Sequence, residues 1–439
     1  MSSSLRFIAQ PGGTLSGTLQ VPGDKSMSHR AIMFAALAEG TSRISGCLRG
    51  ADVLATLHAF RAMGVVIADD PASGDFVVQG VGMQGLQPPA VPLDLGNSGT
   101  SIRLLCGLLA GQGVACTLVG DASLCGRPMQ RVTDPLGEMG AVIRTTDAGT
   151  APLQILPSAA LSAMTYHLPV ASAQVKSAIL LAGLYAEGDT WVVEPVPTRD
   201  HTERMLQGFG YAVMQDGARY GVRGGGRLQA CDIDVPADIS SAAFFLVGAS
   251  IAAGSDLTLR RVGVNPTRDG VITILRLMGA DIQLFNHRQV GGEPVADIRV
   301  RAAELRGIDI PLDQVPLAID EFPVLFVAAA CASGTTVLRG AAELRVKESD
   351  RVQVMADGLQ ALGVQIQVLP DGMIVEGGSI QGGVVHSHGD HRIAMAFAIA
   401  GLVAKQSIII ENCANVDTSF PGFVDMAASV GLQLEVEHV

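Results

Sequence analysis

Residues 116–146, CTLVGDASLCGRPMQRVTDPLGEMGAVIRTT, contain the order of elements that decides the fold. A β-branched run favours a strand, a polar loop follows, and an amphipathic segment typical of a helix ends near Gly140 before a second short strand run. The same order recurs in residues 257–285 and in residues 336–369. Weaker copies begin near Ser42, Thr190 and Ser407.

Six predicted helix ends share a glycine, in the tetrapeptides AMGV, EMGA, GFGY, LMGA, ALGV and SVGL. A glycine at this place suits the left-handed residue that closes a helix. One such copy is expected in any α/β protein, so a single match would carry little weight. Six ordered copies at a spacing of about 70 residues instead indicate a modular fold whose units bury their faces against one another.

The copies divide into two groups of three, which predicts two lobes. The first lobe comprises residues 23–236, and the second comprises residues 1–22 plus 237–439. The N-terminal segment RFIAQPGGTLSGTLQVPGD, residues 6–24, is typical of a strand pair and is expected to belong to the second lobe. The chain would then cross between the lobes at the two boundaries, where we expect a hinge.

The composition favours large, regular cores and excludes a disordered protein. The chain has 439 residues, of which 48% are hydrophobic and 16% charged, enough for two or more domains. Aromatic residues make up only 4%, so aliphatic side chains must fill the cores. The formal charge of −12 argues against nucleic acid or an anionic membrane as a partner, because both favour a basic surface.

The cysteines and the N-terminus predict a cytoplasmic protein. Seven cysteines are scattered along the chain without a CxxC pair, which favours free thiols in a reducing compartment. The start, MSSSLRFIAQPGG, has no apolar signal core. The most apolar run, SSAAFFLVGASIAAG, is shorter than the about 20 residues that a membrane span needs.

Polar and cationic residues gather immediately before several apolar helices. In GDKSMSHRAIMFAALA, Lys25, Ser26 and Arg30 lie at a predicted helix start, where backbone N–H groups and the helix dipole favour an anion. A serine cap with solvated neighbours would explain any one of these residues alone. The cluster has counterparts at Gly99, Arg127, Ser172, Gln174, Arg199, Asp320, Lys347, Glu348, Arg351 and Arg392.

These counterparts predict a two-lobed enzyme that closes on polyanionic small molecules. The cations would hold more than one anionic group, and carboxylates together with a histidine would transfer protons. The run RVKESDR could equally be a solvated charged face. The sequence has no HExxH, Cys/His metal set, GxSxG or Walker loop, so it gives no support to metal, acyl-enzyme or nucleotide-hydrolysis chemistry.

Nine motifs come in the order found in the 5-enolpyruvylshikimate-3-phosphate (EPSP) synthase family, which the chain resembles over essentially its whole length. They are PGDKSMSHRA, GNSGTSIRL, GRPM, ASAQVKSA, RDHTERM, IDEFPVL, LRVKESDR, DHRIAMA and SFPGF. The resemblance implies an α/β (α+β) fold of six βαβαββ units, three per lobe. It also implies transfer of the enolpyruvyl group of phosphoenolpyruvate to the 5-hydroxyl of shikimate 3-phosphate, with release of phosphate. We expect a monomer that uses no metal or organic cofactor.

The resemblance also implies roles for the site residues. The catalytic residues that the resemblance implies are Lys25, Asp320 and Glu348. Lys25 resembles a residue shared by both substrates, Asp320 the base at the 5-hydroxyl, and Glu348 the proton donor. The residues that resemble contacts to shikimate 3-phosphate are Lys25, Ser26, Arg30, Ser172, Ala173, Gln174, Arg199, Asp320 and Lys347. Those that resemble contacts to phosphoenolpyruvate are Lys25, Gly99, Arg127, Gln174, Arg351 and Arg392.

Two positions depart from the family pattern. Thr418 stands where many members have a lysine before the SFP motif, so one phosphoenolpyruvate contact is expected to be missing. The ASAQVKSA and TSFPGF motifs resemble a subgroup that is often tolerant of the herbicide glyphosate, but that subgroup often has alanine where this chain has Gly99. We therefore expect glyphosate to inhibit this protein, because no methyl group intrudes on the inhibitor.

Two other functions are compatible with parts of the sequence. The sister enolpyruvyl transferase that acts on UDP-N-acetylglucosamine has Lys-Asn where this chain has Lys25 and Ser26, and a reactive cysteine five residues before its arginine. Here Cys125 lies only two residues before Arg127. A non-catalytic anion-binding module is the second alternative, although a carboxylate such as Asp320 beside the ligand would weaken its affinity for an anion.

Overall fold

A computed structural model describes residues 5–158 and 160–438 and divides the chain into two compact units. The first unit comprises Gly23–Val235 and Val290–Glu293. The second unit comprises Met1–Pro22, Pro236–Gln289 and Pro294–Val439. Each unit has its own hydrophobic core, built mainly from Ala, Val, Leu, Ile and Phe side chains.

The secondary structure alternates between short strands and helices. The strands are β1 Leu5–Ala9, β2 Ser16–Leu19, β3 Ala38–Ser45, β4 Val66–Asp69, β5 Phe76–Val81, β6 Leu93–Asp94, β7 Cys116–Val119, β8 Val142–Arg144, β9 Leu153–Leu156, β10 Thr165–His167, β11 Asp189–Val193, β12 Val213–Asp216, β13 Arg219–Arg223, β14 Leu228–Gln229, β15 Ile233–Asp234, β16 Asp256–Gly263, β17 Asp281–Val290, β18 Glu293–Arg301, β19 Thr335–Leu338, β20 Gln365–Leu369, β21 Gly372–Glu376, β22 Gly383–His386, β23 Ile408–Glu411 and β24 Leu434–His438. The helices are α1 Lys25–Leu37, α2 Ala51–Ala62, α3 Gly99–Ala110, α4 Ala122–Cys125, α5 Gln130–Glu138, α6 Ala173–Gly183, α7 His201–Gly208, α8 Ile239–Ile251, α9 Gly270–Leu277, α10 Phe322–Cys331, α11 Arg351–Ala361, α12 His391–Ala400, α13 Val416–Ser419 and α14 Phe423–Val430.

Across the described residues the strands form six sheets, three in each unit. The first unit has the strand orders β6-β7-β9-β8, β10-β11-β13-β12 and β14-β3-β5-β4, with β15 also paired to β3. The second unit has β22-β23-β1-β24, β17-β18-β16-β2 and β19-β21-β20. A parallel pair followed by antiparallel partners recurs, and in the β19 sheet the parallel partner is reduced to a bridge between Asp309 and Val337. The predicted α/β repeat fold is confirmed.

Three apolar helices fill the core of each unit. In the first unit α3 packs against α1 and α6, and in the second unit α10 packs against α8 and α12. Glycine permits the close approach of two backbones in the first of these cores: a Cβ on Gly107 of α3 would lie 2.0 Å from the carbonyl oxygen of Ala178 on α6. Since small residues let such helices pack tightly, their polar N-termini come within hydrogen-bonding distance of one another.

The six glycines of the predicted helix ends all adopt the left-handed conformation. Their φ values lie between 77° and 114° at Gly64, Gly140, Gly210, Gly279, Gly363 and Gly431. An L side chain rarely adopts such angles, whereas glycine does so without a steric penalty. The prediction from the sequence is confirmed, and each outer helix ends where the chain turns back into a strand.

The N-terminal strands correct one detail of the sequence prediction. β1 and β2 both belong to the second unit, but they do not pair with each other. β1 lies between β23 and β24, with Phe7 and Ala9 buried, whereas β2 pairs in parallel with β16. The predicted strand pair is wrong because β1 satisfies its backbone groups on both sides with strands from the far end of the chain, which leaves no edge for β2.

The helix lengths and the cysteines bear on the remaining sequence predictions. Within the described residues, none of the helices is both long enough and apolar enough to cross a membrane. All seven cysteines carry free thiols. Burial raises the pKa of Cys106 and of Cys331 to about 12, so these thiols are held in the neutral form at physiological pH.

Candidate active site

The N-termini of α1, α3 and α6 meet in the first unit, and we call the residues around them the first site cluster. Asp24, Ser98 and Ser172 cap the three helices by accepting hydrogen bonds from backbone N–H groups of the first turn. Gln174 Nε2 donates to Thr100 Oγ1 at 3.2 Å, which joins α6 to α3. Three helix dipoles therefore direct their positive ends to one region, an arrangement that favours anions.

Lys25 is the first residue of α1, and its ammonium group pairs with the carboxylate of Asp52 on α2. The Lys25 side chain is 24% exposed while that of Asp52 is only 7% exposed. The cation is thus accessible to a ligand and its partner fixes it from the buried side. Sequence reasoning missed Asp52, because a single carboxylate in the first turn of an outer helix is ordinary helix chemistry.

Arg30 is held by hydroxyl groups on two other helices. Its Nε donates to Thr202 Oγ1 at 2.7 Å and its Nη2 donates to Ser177 Oγ at 2.9 Å. Burial, opposed by the Glu203 and Asp24 carboxylates and assisted by the nearby Arg199, lowers the pKa of Arg30 to about 10. Arg30 remains cationic at neutral pH, and it lies close to a second cation.

Gly99 begins α3 between two arginines. Arg127 Nη2 donates to Asn97 Oδ1 at 2.6 Å, and Arg103 Nη1 donates to the Gly99 carbonyl at 3.1 Å. A Cβ on Gly99 would lie 2.8 Å from Arg103 Nη1 and 2.9 Å from Arg127 Nη1. Because nothing larger than glycine fits without moving a guanidinium, Gly99 fixes how close Arg127 comes to the start of the helix.

Arg103 is a residue of this cluster that sequence reasoning missed. Its Nη1 also donates to Gln174 Oε1 at 2.7 Å, so it connects the backbone of Gly99 to a predicted ligand-contacting side chain. The signal was present in the sequence, because Arg103 follows Gly99 by four residues and residues at this spacing share one helix face.

Arg199 lies in a loop that a buried ionic cluster fixes. Lys176 of α6 is fully buried and contacts Glu194 at 3.0 Å and Glu203 at 2.7 Å. Glu194 Oε1 accepts a hydrogen bond from the Thr198 backbone N–H at 3.1 Å, immediately before Arg199. The loop that presents Arg199 is therefore attached to the core of the first unit by charge-assisted hydrogen bonds.

In the second unit Arg351 organises what we call the second site cluster. Its Nε donates to Asp390 at 2.8 Å, its Nη2 donates to Glu348 at 2.7 Å, and its Nη1 lies 3.4 Å from Asp320. Burial opposes the charge of Arg351, but Asp390, Glu348 and Asp320 outweigh that effect and raise its pKa above the ordinary value. One buried guanidinium thus holds the two predicted proton-transfer residues.

The three carboxylates around Arg351 differ in how far they are exposed. The side chain of Glu348 is 28% exposed, that of Asp320 is 13% exposed, and that of Asp390 is fully buried. Lys347 Nζ lies 3.5 Å from Asp320 and 3.7 Å from Glu343. Asp390 has a structural place beneath the arginine and caps α12, whereas Asp320 and Glu348 are open to a ligand.

Arg392 lies at the N-terminus of α12 and is tied to the residues that begin α10. Its Nη1 donates to the backbone carbonyl of Asp320 at 2.8 Å and lies 3.5 Å from Glu321 Oε1. The Glu321 side chain is buried. Its carboxylate also accepts a hydrogen bond from the Ser240 hydroxyl and contacts the Arg268 guanidinium. The start of α8 therefore joins those of α10 and α12, as the three helix starts join in the first unit.

The structure thus gathers the sequence-predicted residues into one cluster per unit. The first site cluster contains Lys25, Ser26, Arg30, Gly99, Arg127, Ser172, Ala173, Gln174 and Arg199. The second site cluster contains Asp320, Lys347, Glu348, Arg351 and Arg392. Thr418 is half-buried on α13, where its hydroxyl donates to the Asn415 carbonyl at 2.6 Å.

Chemically, the two clusters supply cations, helix N-termini and a pair of accessible carboxylates. Among the described residues, no group of three or more His, Cys, Asp or Glu side chains is placed to hold a metal ion. The arrangement can bind several anionic groups and can exchange protons with a bound substrate.

Comparison of the sequence with known families gives a match over residues 9–426 to the model for EPSP synthase (3-phosphoshikimate 1-carboxyvinyltransferase). The 3-phosphoshikimate 1-carboxyvinyltransferase of Alkalilimnicola ehrlichii is 67% identical over 98% of this chain and 96% of the relative. That of Methylococcus capsulatus is 64% identical over 98% of both chains.

Solved structures give the same result at the level of the fold. EPSP synthase from Acinetobacter baumannii superimposes with a TM-score of 0.89 at 54% identity, covering 99% of this chain and 100% of that chain. The enolpyruvyl transferase NikO from Streptomyces tendae gives a TM-score of 0.81 at 18% identity, covering 100% of both chains. The second likeness shows a shared fold only.

Proposed function

Since the chain belongs to the EPSP synthase family and is a 3-phosphoshikimate 1-carboxyvinyltransferase, we propose how its residues divide the reaction between substrate binding and proton transfer. The enzyme transfers the enolpyruvyl group of phosphoenolpyruvate to the 5-hydroxyl of shikimate 3-phosphate and releases phosphate. The comparisons give no support to the alternative activity on UDP-N-acetylglucosamine or to a non-catalytic module.

Shikimate 3-phosphate is bound by the first site cluster and by two residues of the second. The contacts are Lys25, Ser26, Arg30, Ser172, Ala173, Gln174, Arg199, Asp320 and Lys347. The support for this assignment is the proximity of Arg30 to Arg199 and the capped start of α6, which together suit a dianionic phosphate. Buried hydroxyl groups hold the Arg30 side chain, and the buried Glu194 carboxylate holds the loop that carries Arg199, so little conformational freedom is lost on binding.

Phosphoenolpyruvate is bound by Lys25, Gly99, Arg127, Gln174, Arg351 and Arg392. Arginine suits its phosphate and carboxylate groups because a planar guanidinium can donate two parallel hydrogen bonds. Gly99 contributes through its small size and its backbone, which leave room for the anion beside Arg127. Thr418 adds no cation to this set.

Asp320 and Glu348 carry the proton transfers. Protonation of the methylene carbon of phosphoenolpyruvate by Glu348 creates positive character at the central carbon. The 5-hydroxyl oxygen then attacks that carbon while Asp320 takes the hydroxyl proton, which gives a tetrahedral adduct. Glu348 then takes back a proton from the new methyl group, the proton held by Asp320 passes to the departing phosphate, and the carbon–carbon double bond is restored. Lys25, the third proposed catalytic residue, contacts both substrates during these steps.

The observation that carries this assignment is the shared guanidinium of Arg351, which lies 2.7 Å from Glu348 and 3.4 Å from Asp320. Arg351 thereby holds the proposed acid, Glu348, and the proposed base, Asp320, within one cluster. The two carboxylates differ in exposure, and Asp320 also lies near Lys347. The Glu348 side chain is more exposed than that of Asp320. An incoming anion that competes for Arg351 would therefore displace Glu348 from the guanidinium before Asp320.

The assignment is tested with Asp320→Asn and Glu348→Gln, each assayed for phosphate release from phosphoenolpyruvate in the presence of shikimate 3-phosphate. We expect each to lower kcat by about 10²–10⁴-fold, the usual contribution of general acid–base catalysis. Binding of shikimate 3-phosphate, measured by calorimetry, should persist in both. Glu376→Gln, an exposed carboxylate on β21, is the control. Near-normal turnover in Asp320→Asn or Glu348→Gln would show that the role given to that residue is wrong.

The proposal extends to the lobes, the oligomeric state and the compartment. The lobes are residues 23–236 and residues 1–22 plus 237–439, the protein is a monomer, and it acts in the cytoplasm. The compact units and the free cysteines support the first and the last of these. Sedimentation at several protein concentrations tests the monomer, and a species of twice the chain mass would contradict it.

A further inference from the structure

The buried carboxylate of Glu321 has no place in the proposed proton transfers, although it directly follows Asp320. Its side chain is only 1% exposed, and its Oε1 accepts a hydrogen bond from the Ser240 hydroxyl. Two arginines face the same oxygen, Arg392 at 3.5 Å and Arg268 at 3.8 Å. A carboxylate that is buried at this depth persists as an anion only when cations and hydroxyl groups compensate its charge.

Arg268 occupies the position in its repeat that Arg127 and Arg351 occupy in theirs, but its guanidinium has different surroundings. It precedes α9 as Arg127 precedes α5, and Arg351 begins the corresponding helix of the next repeat. Unlike half-buried Arg127, however, Arg268 has a side chain only 4% exposed and lies 3.5 Å from Asp238, the cap of α8. Its guanidinium faces Glu321 instead of solvent, so it acts on the site through another residue.

Arg392 is the phosphoenolpyruvate-contacting candidate whose side chain lies beside the Glu321 carboxylate. Its Nη1 is used by the Asp320 carbonyl and by Glu321. These contacts leave Nε and Nη2 for an anion, and the side chain is 15% exposed. A guanidinium fixed by one nitrogen presents its remaining donors in a defined plane, whereas an unfixed arginine must lose rotamer freedom when the ligand binds.

We infer that Glu321 and Arg268 are positioning residues that orient the Arg392 guanidinium for phosphoenolpyruvate. Arg268 fixes Glu321, Glu321 fixes Nη1 of Arg392, and Arg392 offers its other donors to the anion. The inference rests on the proposed contact between Arg392 and phosphoenolpyruvate. Neither Glu321 nor Arg268 touches the substrate.

Glu321→Gln separates positioning from simple electrostatics, because the two effects have opposite signs. Loss of a negative charge beside the anion site would by itself strengthen binding of phosphoenolpyruvate. Loss of the ion pair that orients Arg392 would weaken it. The amide keeps the shape of the side chain and its hydrogen bond with Ser240, so the fold is expected to persist.

We expect Glu321→Gln to raise the KM for phosphoenolpyruvate by about tenfold, the effect of one lost charge-assisted hydrogen bond. The KM for shikimate 3-phosphate should change less than about twofold, since Asp320 is the one of those contacts that adjoins Glu321 and its carboxylate is held separately by Arg351 and Lys347. Arg268→Met should raise the KM for phosphoenolpyruvate in the same direction, and Arg268→Lys should restore part of the loss. Glu376→Gln again controls for the removal of a carboxylate from the second unit, and melting temperatures report any general loss of stability.

Arg392→Met distinguishes failure of the inference from failure of the proposed function. If Arg392→Met leaves the KM for phosphoenolpyruvate unchanged, the proposed contact is wrong and the inference falls with it. If Arg392→Met raises this KM but Glu321→Gln lowers it or leaves it unchanged, only the positioning role is overturned. In the double variant the Glu321→Gln effect should disappear, because there is no guanidinium left to orient. Additive effects would contradict a route through Arg392.

Discussion

The absence of a side chain at Gly99 allows the guanidinium groups of Arg103 and Arg127 to lie close to the start of α3. A methyl group there would lie within 3 Å of both Arg103 Nη1 and Arg127 Nη1, and the flexible guanidinium groups would move before the helix did. We expect Gly99→Ala to raise the KM for phosphoenolpyruvate by about tenfold, the equivalent of one displaced charge-assisted hydrogen bond. The glyphosate inhibition constant should rise with it.

The matched control for Gly99→Ala is Gly137→Ala on α5, because a Cβ at Gly137 meets no atom within 4 Å. Steady-state kinetics of both variants, with and without glyphosate, measure the effect. An inhibition constant unchanged in Gly99→Ala would contradict the steric explanation, as would an equal rise in the control.

The burial of His29 leads us to expect that the stability of the protein depends on pH. Its ring is fully buried, with Nδ1 2.8 Å from Thr56 Oγ1. Burial, and then the charges of Lys25 and Arg30, lower its pKa well below 6.5, while Asp24 has a weaker opposite effect. Below pH 6.5 the unfolded chain therefore binds a proton that the folded chain does not. The free energy of unfolding then falls by up to about 1.4 kcal/mol for each pH unit of acidification. Above pH 6.5 the residue contributes no pH dependence.

Urea unfolding between pH 5 and pH 8 measures this effect in the wild type and in His29→Gln. The free energy of unfolding should fall more steeply below pH 6.5 in the wild type than in the variant. Other titrating groups are common to both proteins, so their contribution cancels in the difference. Parallel curves would show that His29 takes up its proton equally in the folded and unfolded chains.

At the scale of elements, a buried ionic cluster joins α6, the end of β11 and α7. Lys176 on α6 contacts Glu194 and Glu203 with all three side chains almost fully buried. Breaking such a cluster by removing one partner leaves uncompensated buried charge, which costs about 3–5 kcal/mol. We expect Lys176→Met to lower the free energy of unfolding by this amount in urea denaturation and to raise the KM for shikimate 3-phosphate.

The exposed Lys405 supplies the control, since Lys405→Met removes the same charge from the surface. Adding Glu203→Gln to Lys176→Met should recover part of the lost stability, because one unpaired buried charge is then removed as well. A loss no larger than that of Lys405→Met would mean that the cluster contributes no more than a surface ion pair.

At the scale of the whole molecule, the proposed shikimate 3-phosphate contacts come from residues of both units. Hydrogen exchange with and without this substrate should therefore show slower exchange at the starts of α1 and α6 and also in residues 342–351. Strands β4 and β20, which carry none of the proposed contacts, serve as internal references. Protection confined to the first unit would contradict the roles given to Asp320 and Lys347, while leaving those of the first site cluster intact.

Local sequence patterns are sufficient to predict the repeat and the chemistry at its helix starts. Glycines closed each predicted helix because only a residue without a side chain adopts the left-handed angle at low cost. Apolar helices preceded by Lys25, Gly99 and Arg392 predicted buried segments with anion-binding ends, and the motifs agreed with the family that the comparisons show. These features depend on neighbours in the chain, so local pattern is enough to find them.

The pairing of residues far apart in the chain depends on tertiary packing and could not be predicted from local patterns. Strand β1 lies between β23 and β24 instead of beside β2, because partners from the far end of the chain satisfy both of its edges. Asp52 under Lys25, Arg103 beside Gln174, and Glu321 between two arginines are likewise contacts between residues far apart in the chain. Their residue types are ordinary for helices, and their roles arise only where packing removes water and brings charges within a few ångströms.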